Sequence, residues 1–224
     1  MAVLAAATVV RAAPGDPQVV DISKQVADMG KKLNDLTAKG KQAKDGKLAA
    51  LANCGYGPAQ QTFAQWGDPS DYALGPQGDL STTSGWGLKN VTLVKDHDPY
   101  TPGATSLLFS DGGSEAVTPV MCVNLDNPTL RVFLADKGGN GKADLEVDVI
   151  YQNLDGGTSK LQVAHLKVND QWQPSVVIPI GANLLAAASA SGWTPVAFDF
   201  KVHGLQKNET FTLDGIWVDP CRSR

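Results

Sequence analysis

The residues of this sequence that could catalyse a reaction are scattered aspartates. Four of them lie near aromatic residues before position 100: Asp68, Asp71, Asp96 and Asp98. Two such carboxylates could serve as the acid and the base of a glycoside hydrolase. Their spacing does not require this chemistry, because aspartates beside glycine and proline are ordinary turn residues. The sequence also lacks a nucleophile elbow, a phosphate-binding loop and a histidine-based triad, so hydrolysis is the least favoured function and we expect no enzyme.

Metal-binding patterns are incomplete in this chain. Residues 136–144 match a calcium-binding loop at its first, fifth, sixth and ninth places, but its third and twelfth places hold Gly138 and Val147. Because this stretch lies between two alternating segments, the pattern favours a plain hairpin loop. The histidines and cysteines are too widely separated for paired zinc ligands. They are His97, His165, His203, Cys54, Cys122 and Cys221.

Aromatic side chains offer a different chemistry, the binding of sugars. An exposed tryptophan or tyrosine of a β-sandwich can stack on a sugar ring while neighbouring polar groups bind the hydroxyls. The candidates for this role are Tyr100, Trp172, Trp193 and Trp217. Each of them could instead be a core residue or a turn anchor, because large aromatic side chains are usually mostly buried.

Charge and length restrict the classes of function. The formal net charge is −4, and basic and acidic residues are interspersed, so the chain has no basic stripe to neutralise phosphates. Nucleic acid is therefore not an expected partner. The 224 residues can hold one β-domain of roughly 170 residues and an appendage.

Residues 1–15 contain an apolar run with the length of a signal-peptide core, but no basic residues precede it. The run is too short to span a bilayer, so no transmembrane segment is predicted. We expect a truncated or mis-started signal for export, and the alternative is a disordered alanine-rich tail. The expected location is secreted or at the cell surface.

Residues 16–53 carry the strongest helical pattern. Asp16 and Pro17 form a good helix start. Apolar residues then follow at steps of three and four: Val19, Ile22, Val26, Met29, Leu33 and Leu36. We expect this apolar seam to pack on the β-domain or on a second helix near residues 47–51, and self-association as a coiled coil is the alternative. Residues 39–47 are typical of a linker or of the loop of a helical hairpin.

Residues 54–224 are predicted to form an antiparallel jelly-roll-like β-sandwich. Beyond Cys54 the helical periodicity ends, and alternating segments are separated by Gly, Asp and Asn turns. The predicted strands are Asn90–Lys95, Thr105–Ser110, Ala116–Val123, Thr129–Ala135, Asp144–Gln152, Lys160–Val168, Gln173–Ile180, Pro195–His203 and Thr210–Val218. One short helix is expected at Asn183–Ala188.

The last predicted strand changes its alternation at Gly215. Phe211 and Leu213 have one parity whereas Ile216 and Val218 have the other, so a single buried face requires one extra residue, as in a β-bulge. We expect this strand to pair with the segment that follows Leu80, because an apolar strand near the C-terminus needs an upstream partner.

From Cys54 to Pro220 the sequence contains an ordered series of motifs rich in tryptophan, glycine and proline. They are Gln65-Trp66-Gly67-Asp68, Tyr72, Gly75-Pro76-Gln77-Gly78-Asp79, Trp86, Pro119-Val120-Met121-Cys122-Val123, Asn127-Pro128-Thr129-Leu130-Arg131-Val132-Phe133, Trp172-Gln173-Pro174 and Leu213-Asp214-Gly215-Ile216-Trp217-Val218-Asp219-Pro220. In these motifs the chain resembles a group of uncharacterised exported β-sandwich proteins of actinobacteria, which look in layout like jelly-roll carbohydrate-binding modules. The resemblance implies fold and export, but no function comes with it.

The resemblance also bears on calcium. In jelly-roll modules of this layout the first and last strands often share a structural calcium ion. The matching stretches here contain Asp79 and Asp214, while Ser81 stands where a glutamate ligand is usual. A calcium site at these residues would therefore have one carboxylate fewer.

A disulfide pairing is implied in the same way. In the similar proteins the first two cysteines recur, and the third position is usually tyrosine. This implies a Cys54–Cys122 bond. Pairing of Cys54 with Cys221 stays open, because both would lie near the first and last strands.

Two functions from different classes follow from these observations. The first is a secreted, non-catalytic β-sandwich that binds carbohydrate or a surface glycan. The alternative is a structural protein that assembles through the helical seam. The oligomeric state distinguishes them, since a monomer favours the binding module and a helix-dependent oligomer favours assembly.

Overall fold

The computed structural model describes residues 23–38, 46–101, 103–139 and 142–219, and the side chains of residues 32–38 are not among the features it describes. Several of the predictions therefore lie outside the described residues. These are the tail at 1–15, the helix start at Asp16 and Pro17, the seam positions Val19 and Ile22, the linker at 39–45, and Cys221. For the seam positions Leu33 and Leu36 only the helical backbone is described.

The described residues form a sandwich of two antiparallel sheets, which confirms the mainly β fold. The strands are β1 (Ala73–Leu74), β2 (Gly87–Lys89), β3 (Val91–Val94), β4 (Ser106–Phe109), β5 (Glu115–Val117), β6 (Met121–Val123), β7 (Thr129–Lys137), β8 (Asp144–Gln152), β9 (Thr158–Leu166), β10 (Gln173–Pro174), β11 (Ile178–Pro179), β12 (Thr194–His203) and β13 (Thr210–Val218). The first sheet has the order β10-β7-β13-β4-β3, with β1 on β13 and β11 on β7. The second has the order β2-β5-β12-β8-β9, with β6 on β12.

Two predicted strands are divided in the structure, and prolines explain the divisions. Ala116–Val123 becomes β5 and β6, which both pair with β12 and are separated around Pro119. Gln173–Ile180 becomes β10 and β11, and each of these ends at a proline. A proline has no N–H for the strand ladder, so these segments make only short pairings.

The main core fills the space between the sheets. Alternation places Val196, Phe198, Phe200 and Val202 of β12 in this core, as the sequence predicted. The same alternation in β7 points Leu130, Val132 and Leu134 into it, whereas Phe133 and Ala135 face the other side of the first sheet. Both faces of the first sheet are therefore covered with apolar side chains.

The bulge predicted in the last strand is present. The pairing of β13 with β7 shifts register between Asp214 and Trp217, and Gly215 has a φ of 64°. Because of this shift, Phe211, Leu213, Ile216 and Val218 all enter the main core. A β-carbon at Gly215 would lie 2.4 Å from Nε1 of Trp217, so only glycine fits here.

The neighbours of β13 differ in part from the expected ones. Its long partner is β7, which the sequence did not indicate, and its other neighbours are β4 and β1. The expected region near Leu80 makes only a local contact, in which the Ile216 N–H donates to the Gly78 carbonyl at 3.0 Å. Both β7 and β4 are apolar alternating segments, and alternation alone does not specify a partner.

The connection between β7 and β8 was also predicted incorrectly. The sequence favoured a hairpin loop at residues 136–144, but β7 lies in the first sheet and β8 in the second. The segment therefore crosses from one sheet to the other. An arch of this kind and a hairpin join strands with the same alternation, so the sequence pattern could not separate them.

The helix α1 (Ser23–Ala38) packs on the sandwich of the same chain. Met29 is buried in the main core, and Val26 packs against it. The helix contacts residues 182–188, where a 3₁₀ helix (Ala182–Ala188) replaces the short helix that the sequence predicted. These contacts confirm packing within the chain for the two seam residues whose side chains are described. In the described part of the chain, no helix is both long and apolar enough to cross a bilayer.

Candidate functional site

Two of the four candidate aromatic residues are placed in a second apolar cluster on the outer side of the first sheet. Trp217 is 1% exposed and Trp172 is 9% exposed. They lie with Phe63, Tyr72 and Phe133, and neither presents a ring to solvent for stacking. Large aromatic side chains more often pack in a protein core than bind a ligand, and Trp172 and Trp217 follow this preference.

Tyr100 is 45% exposed and lies at the edge of the same cluster. Its ring meets Trp66 edge-on at 4.7 Å between centroids and lies 5.7 Å from the ring of Phe133. Its hydroxyl donates to the Trp172 carbonyl at 3.3 Å. Tyr100 therefore covers one edge of the aromatic cluster with its ring.

Trp193, the fourth candidate, has a different environment. It is half-buried and lines a groove of about 470 Å³. No ring–ring or cation–ring contact involves Trp193 among the described residues, in contrast to the other candidates in the aromatic cluster. The groove is bounded by the segment 54–59, by the end of β6 and by the loop 124–127. The sequence places Trp193 there because it directly precedes β12, whose first residue, Thr194, is buried.

The first wall of the groove is fixed by covalent and polar bonds. Cys54 and Cys122 form a disulfide with their Cα atoms 4.9 Å apart, which confirms the pairing that the resemblance implied. The Tyr56 hydroxyl donates to the Cys122 carbonyl, and burial raises the pKa of Tyr56, so the hydroxyl keeps its proton. The Asn53 N–H donates to the Val120 carbonyl at 2.9 Å. The irregular segment 54–59 is thereby tied to β6.

The second wall is a tight polar turn at residues 124–127. The Asn124 N–H donates to Oδ1 of Asn127 at 3.0 Å, and the Asp126 N–H donates to Oδ1 of Asn124 at 2.8 Å. Nδ2 of Asn127 donates to the Asp219 carbonyl at 3.2 Å and attaches the turn to the chain after β13. The carboxylate of Asp126 takes no part in these bonds within the described structure, so it can accept bonds from a ligand.

The sequence did not single out Tyr56, Asn124, Asp126 or Asn127 as site residues. The run Asn124-Leu125-Asp126-Asn127-Pro128 is a clear turn signal, but a turn signal does not show which surface it borders. The disulfide was the one hint, since it brings the segment after Cys54 to the segment after Cys122.

Of the four acidic residues considered for catalysis, Asp68 and Asp98 make hydrogen bonds that give them structural roles. Asp68 accepts from Nη1 of Arg131 at 3.0 Å and from the Tyr72 hydroxyl at 2.8 Å. Burial opposes the charge of Asp68, but the bonds from Tyr72, Ser70 and Arg131 outweigh it and lower its pKa. Asp98 is buried and accepts from the N–H groups of the next turn rather than lining a cleft. Asp71 is half-buried and Asp96 is exposed.

The two calcium candidates lie in different environments. Asp79 is exposed, and its carboxylate accepts from the N–H and the hydroxyl of Ser81. Asp214 is buried, and its Oδ2 accepts from the Asp98 N–H at 3.0 Å. Burial, with a contribution from the nearby Asp98, raises the pKa of Asp214 to about 7. The oxygens of both carboxylates already accept hydrogen bonds from N–H and O–H donors, whereas a calcium ion would need these oxygens as ligands. The two residues therefore do not fit a calcium site well. Across the described residues, no three His, Cys, Asp or Glu side chains are grouped to hold a metal ion.

The outer face of the second sheet is a network of paired charges. Nζ of Lys201 lies 2.7 Å from Asp148 and 3.0 Å from Glu146, and Nζ of Lys160 lies 2.5 Å from Asp199. Burial opposes the charge of Lys201, but its bonds to Asp148 and Glu146 raise its pKa above the usual range. These charges compensate one another within the face.

No known protein family and no curated protein matches the sequence. Solved structures that are similar in part include the CBM22-1 xylan-binding domain of Paenibacillus barcinonensis Xyn10C, at 17% identity over 67% of this chain and 94% of that one, with a TM-score of 0.43. Another is the bacteriophage CBA120 tailspike protein 4 domain, at 14% identity over 62% of this chain and 20% of that one, with a TM-score of 0.41. A third is the CBM22-1–GH10 part of Clostridium thermocellum Xyn10B, at 11% identity over 60% of this chain and 26% of that one, with a TM-score of 0.42. Likeness at this level assigns neither a function nor a binding site, and the sandwich is defined by its own strand pairings.

Proposed function

We propose that this protein is an exported, non-catalytic β-sandwich that binds a polysaccharide or a cell-surface glycan in the groove beside Trp193. The observation that carries the proposal is the half-buried Trp193 ring at an open groove with polar turns. Sugars bind such places because the C–H face of a pyranose stacks on an indole while its hydroxyls bind nearby polar groups.

The polar groups of the groove suit hydroxyl recognition. The carboxylate of Asp126 accepts hydrogen bonds, and the side-chain amide nitrogen of Asn124 can donate them. Among the described residues that line the groove there is one carboxylate and no lysine, arginine or histidine. This composition favours a neutral glycan over an anionic one, because none of these described residues would compensate the charge of a bound uronate or sulfate.

Export is supported by the disulfide between Cys54 and Cys122. Disulfides persist in oxidising compartments and are rare in the reducing cytosol. The bond lies directly at the groove, and so the same oxidation that accompanies export would complete the proposed site.

The test is a screen of the intact protein on a glycan array, followed by titration calorimetry with the glycans that bind. We expect Trp193→Ala to weaken binding at least tenfold, because the stacking surface is removed, while the melting temperature changes little. Tyr100→Ala is the matched control, because Tyr100 is the exposed aromatic candidate that lies outside the groove. Its removal should leave the affinity unchanged. Loss of binding in the Tyr100 variant alone, or equal binding by the Trp193 variant, would refute the groove as the site.

A further inference from the structure

The described residues that line the groove beside Trp193 include a single charged side chain, the exposed carboxylate of Asp126. Its N–H donates to Oδ1 of Asn124 at 2.8 Å, whereas its carboxylate makes no hydrogen bond or ion pair in the described part of the chain. Tyr56 is the other titratable side chain of this lining, and burial raises its pKa and keeps its hydroxyl uncharged. The groove therefore presents one negative charge that these residues leave uncompensated.

Strand pairing places this charge close to Trp193. The strands β6 and β12 pair as far as Val123 and Thr194, and the next residues outward are Asn124 and Trp193. Paired Cα atoms of antiparallel strands lie about 5 Å apart, so the turn that holds Asp126 starts beside Trp193. Asp126 is two residues further on and is bonded to the Asn124 side chain. A ligand that stacks on Trp193 in the groove therefore lies near the Asp126 carboxylate as well.

The ring of Trp193 can also attract a positive charge. The face of an indole is negative, and a cation within about 6 Å of the ring centre is attracted to it. Arg131 and Lys137 contact other aromatic rings in this way, but no cation of the described residues contacts the Trp193 ring. An ammonium group on a sugar ring would be attracted by the indole and the carboxylate together. A hydroxyl in the same place can donate a hydrogen bond, but it brings no charge to either group.

We infer that the groove selects a polysaccharide of amino sugars, whose protonated amine pairs with the Asp126 carboxylate while a ring of the chain stacks on Trp193. This inference rests on the proposed function, because it assumes that a glycan occupies the groove. Both attractions act at an open surface, where water and salt weaken them. Together they should favour the charged chain over its neutral equivalent by roughly three- to tenfold in affinity.

The experiment compares β-1,4-linked hexasaccharides of glucosamine and of glucose, which differ only in the amine or hydroxyl at one ring carbon. Titration calorimetry of the intact protein at about pH 5.5, where the amine is protonated, should show tighter binding of the glucosamine chain by roughly three- to tenfold. At about pH 9 the amine is uncharged, and the two chains should bind with similar affinity. Trp193→Ala should weaken the binding of both chains.

Two amide variants locate the charge that selects the amine. Asp126→Asn should abolish the preference for glucosamine, because the amide keeps the shape of the side chain and carries no charge. Asp96→Asn is the matched control, since this exposed carboxylate does not line the groove and its removal changes the charge of the protein equally. The control separates pairing in the groove from a general attraction of a cationic chain to a protein with a net charge of −4. Melting temperatures identify any loss of affinity that comes from unfolding.

The outcomes separate this inference from the proposed function. Equal affinity for both chains at acidic pH, lost in Trp193→Ala, would overturn the selection of amino sugars and leave glycan binding in the groove intact. A preference that persists in Asp126→Asn, or that Asp96→Asn lowers as much, would show attraction by the overall charge and would also overturn the inference. Arrayed glycans that bind in the groove while the glucosamine chain does not would have the same consequence. Failure of both chains and of every arrayed glycan to bind would overturn the proposed function, and the inference with it.

Discussion

Asp214 is a buried acid of β13 whose pKa is raised. It lies at the bulge of β13, where it accepts the Asp98 N–H, and Asp98 is itself fully buried beside it. Burial and the neighbouring Asp98 carboxylate raise the pKa of Asp214, because a second negative charge close to a buried carboxylate is costly. The sequence indicated the bulge at Gly215 and made Asp214 a calcium candidate, but it did not indicate the carboxylate neighbour on the loop after β3. The two residues are 116 positions apart, and no local pattern connects them.

The pKa of Asp214 predicts how stability depends on pH. The folded pKa of about 7 lies above the ordinary value of 3.8, so folding favours the protonated form. The contribution of this group to the free energy of unfolding is therefore greatest at acidic pH and falls as the pH rises from about 4 to about 7. Asp214→Asn removes the titration, and we expect the variant to gain on the wild type over this range, by a few kcal/mol at most. Urea unfolding at pH 5 and pH 8 measures the difference.

A structural calcium ion at Asp214 would give the opposite result. Added calcium would then stabilise the wild type at pH 8, a chelator would remove that gain, and Asp214→Asn would respond to neither. Asp79→Asn should lose the calcium response as well, because this exposed carboxylate is the other residue proposed for the ion. If the wild type is insensitive to calcium and to chelator while the pH dependence appears, the proton alone accounts for the site.

The positions of the strands could largely be predicted from the sequence, whereas the pairing and connection of the strands could not. The change of parity at Gly215 identified the bulge, because a buried strand must keep one face apolar. The prolines at positions 119, 174 and 179 divided two segments whose alternation predicted continuous strands. Which strands pair, and the crossing from β7 to β8, depend on contacts between distant segments that a local pattern does not contain. The groove was missed for the same reason, since its walls come from residues 54–59 and 124–127.

The disulfide joins two short elements, the irregular segment after residue 53 and β6. It closes a loop with a sequence separation of 68 residues, and in the chain-entropy account this stabilises the fold by roughly 4 kcal/mol. We expect the double variant Cys54→Ser/Cys122→Ser to lose a free energy of unfolding of about this size. Urea unfolding without reductant provides the measurement.

A reduced wild-type sample is the control for the disulfide variant, and it should match the variant's stability within about 1 kcal/mol. Peptide mapping under non-reducing conditions should recover residues 54 and 122 in one linked fragment. A linked fragment that joins Cys54 to Cys221 would contradict the pairing in the structure.

At the scale of the whole molecule, the question is whether the sandwich needs the helix. No strand precedes residue 54 in the described structure, so the strand pairings do not require residues 1–50. The structure adds a cost to their removal, because Met29 and Leu48 are both largely buried. Met29 belongs to the main core, where it packs near the 3₁₀ helix at Ala182–Ala188. Removing residues 1–50 would therefore uncover an apolar surface without deleting a strand.

We expect the fragment 51–224 to fold as a β-rich domain with reduced stability. All strand pairings remain, so unfolding should stay cooperative, while the loss of buried apolar contacts should lower the free energy of unfolding by roughly 2–5 kcal/mol. Met29→Ala in the full chain is the matched comparison and should reproduce part of this loss. Near-ultraviolet circular dichroism and thermal unfolding of the three proteins test the expectation. A fragment without fixed tertiary signals would show that the helix is an integral part of the core. If instead the fragment and the Met29 variant are as stable as the full chain, the helix contributes nothing to the fold. Its apolar seam would then be available for association with another copy.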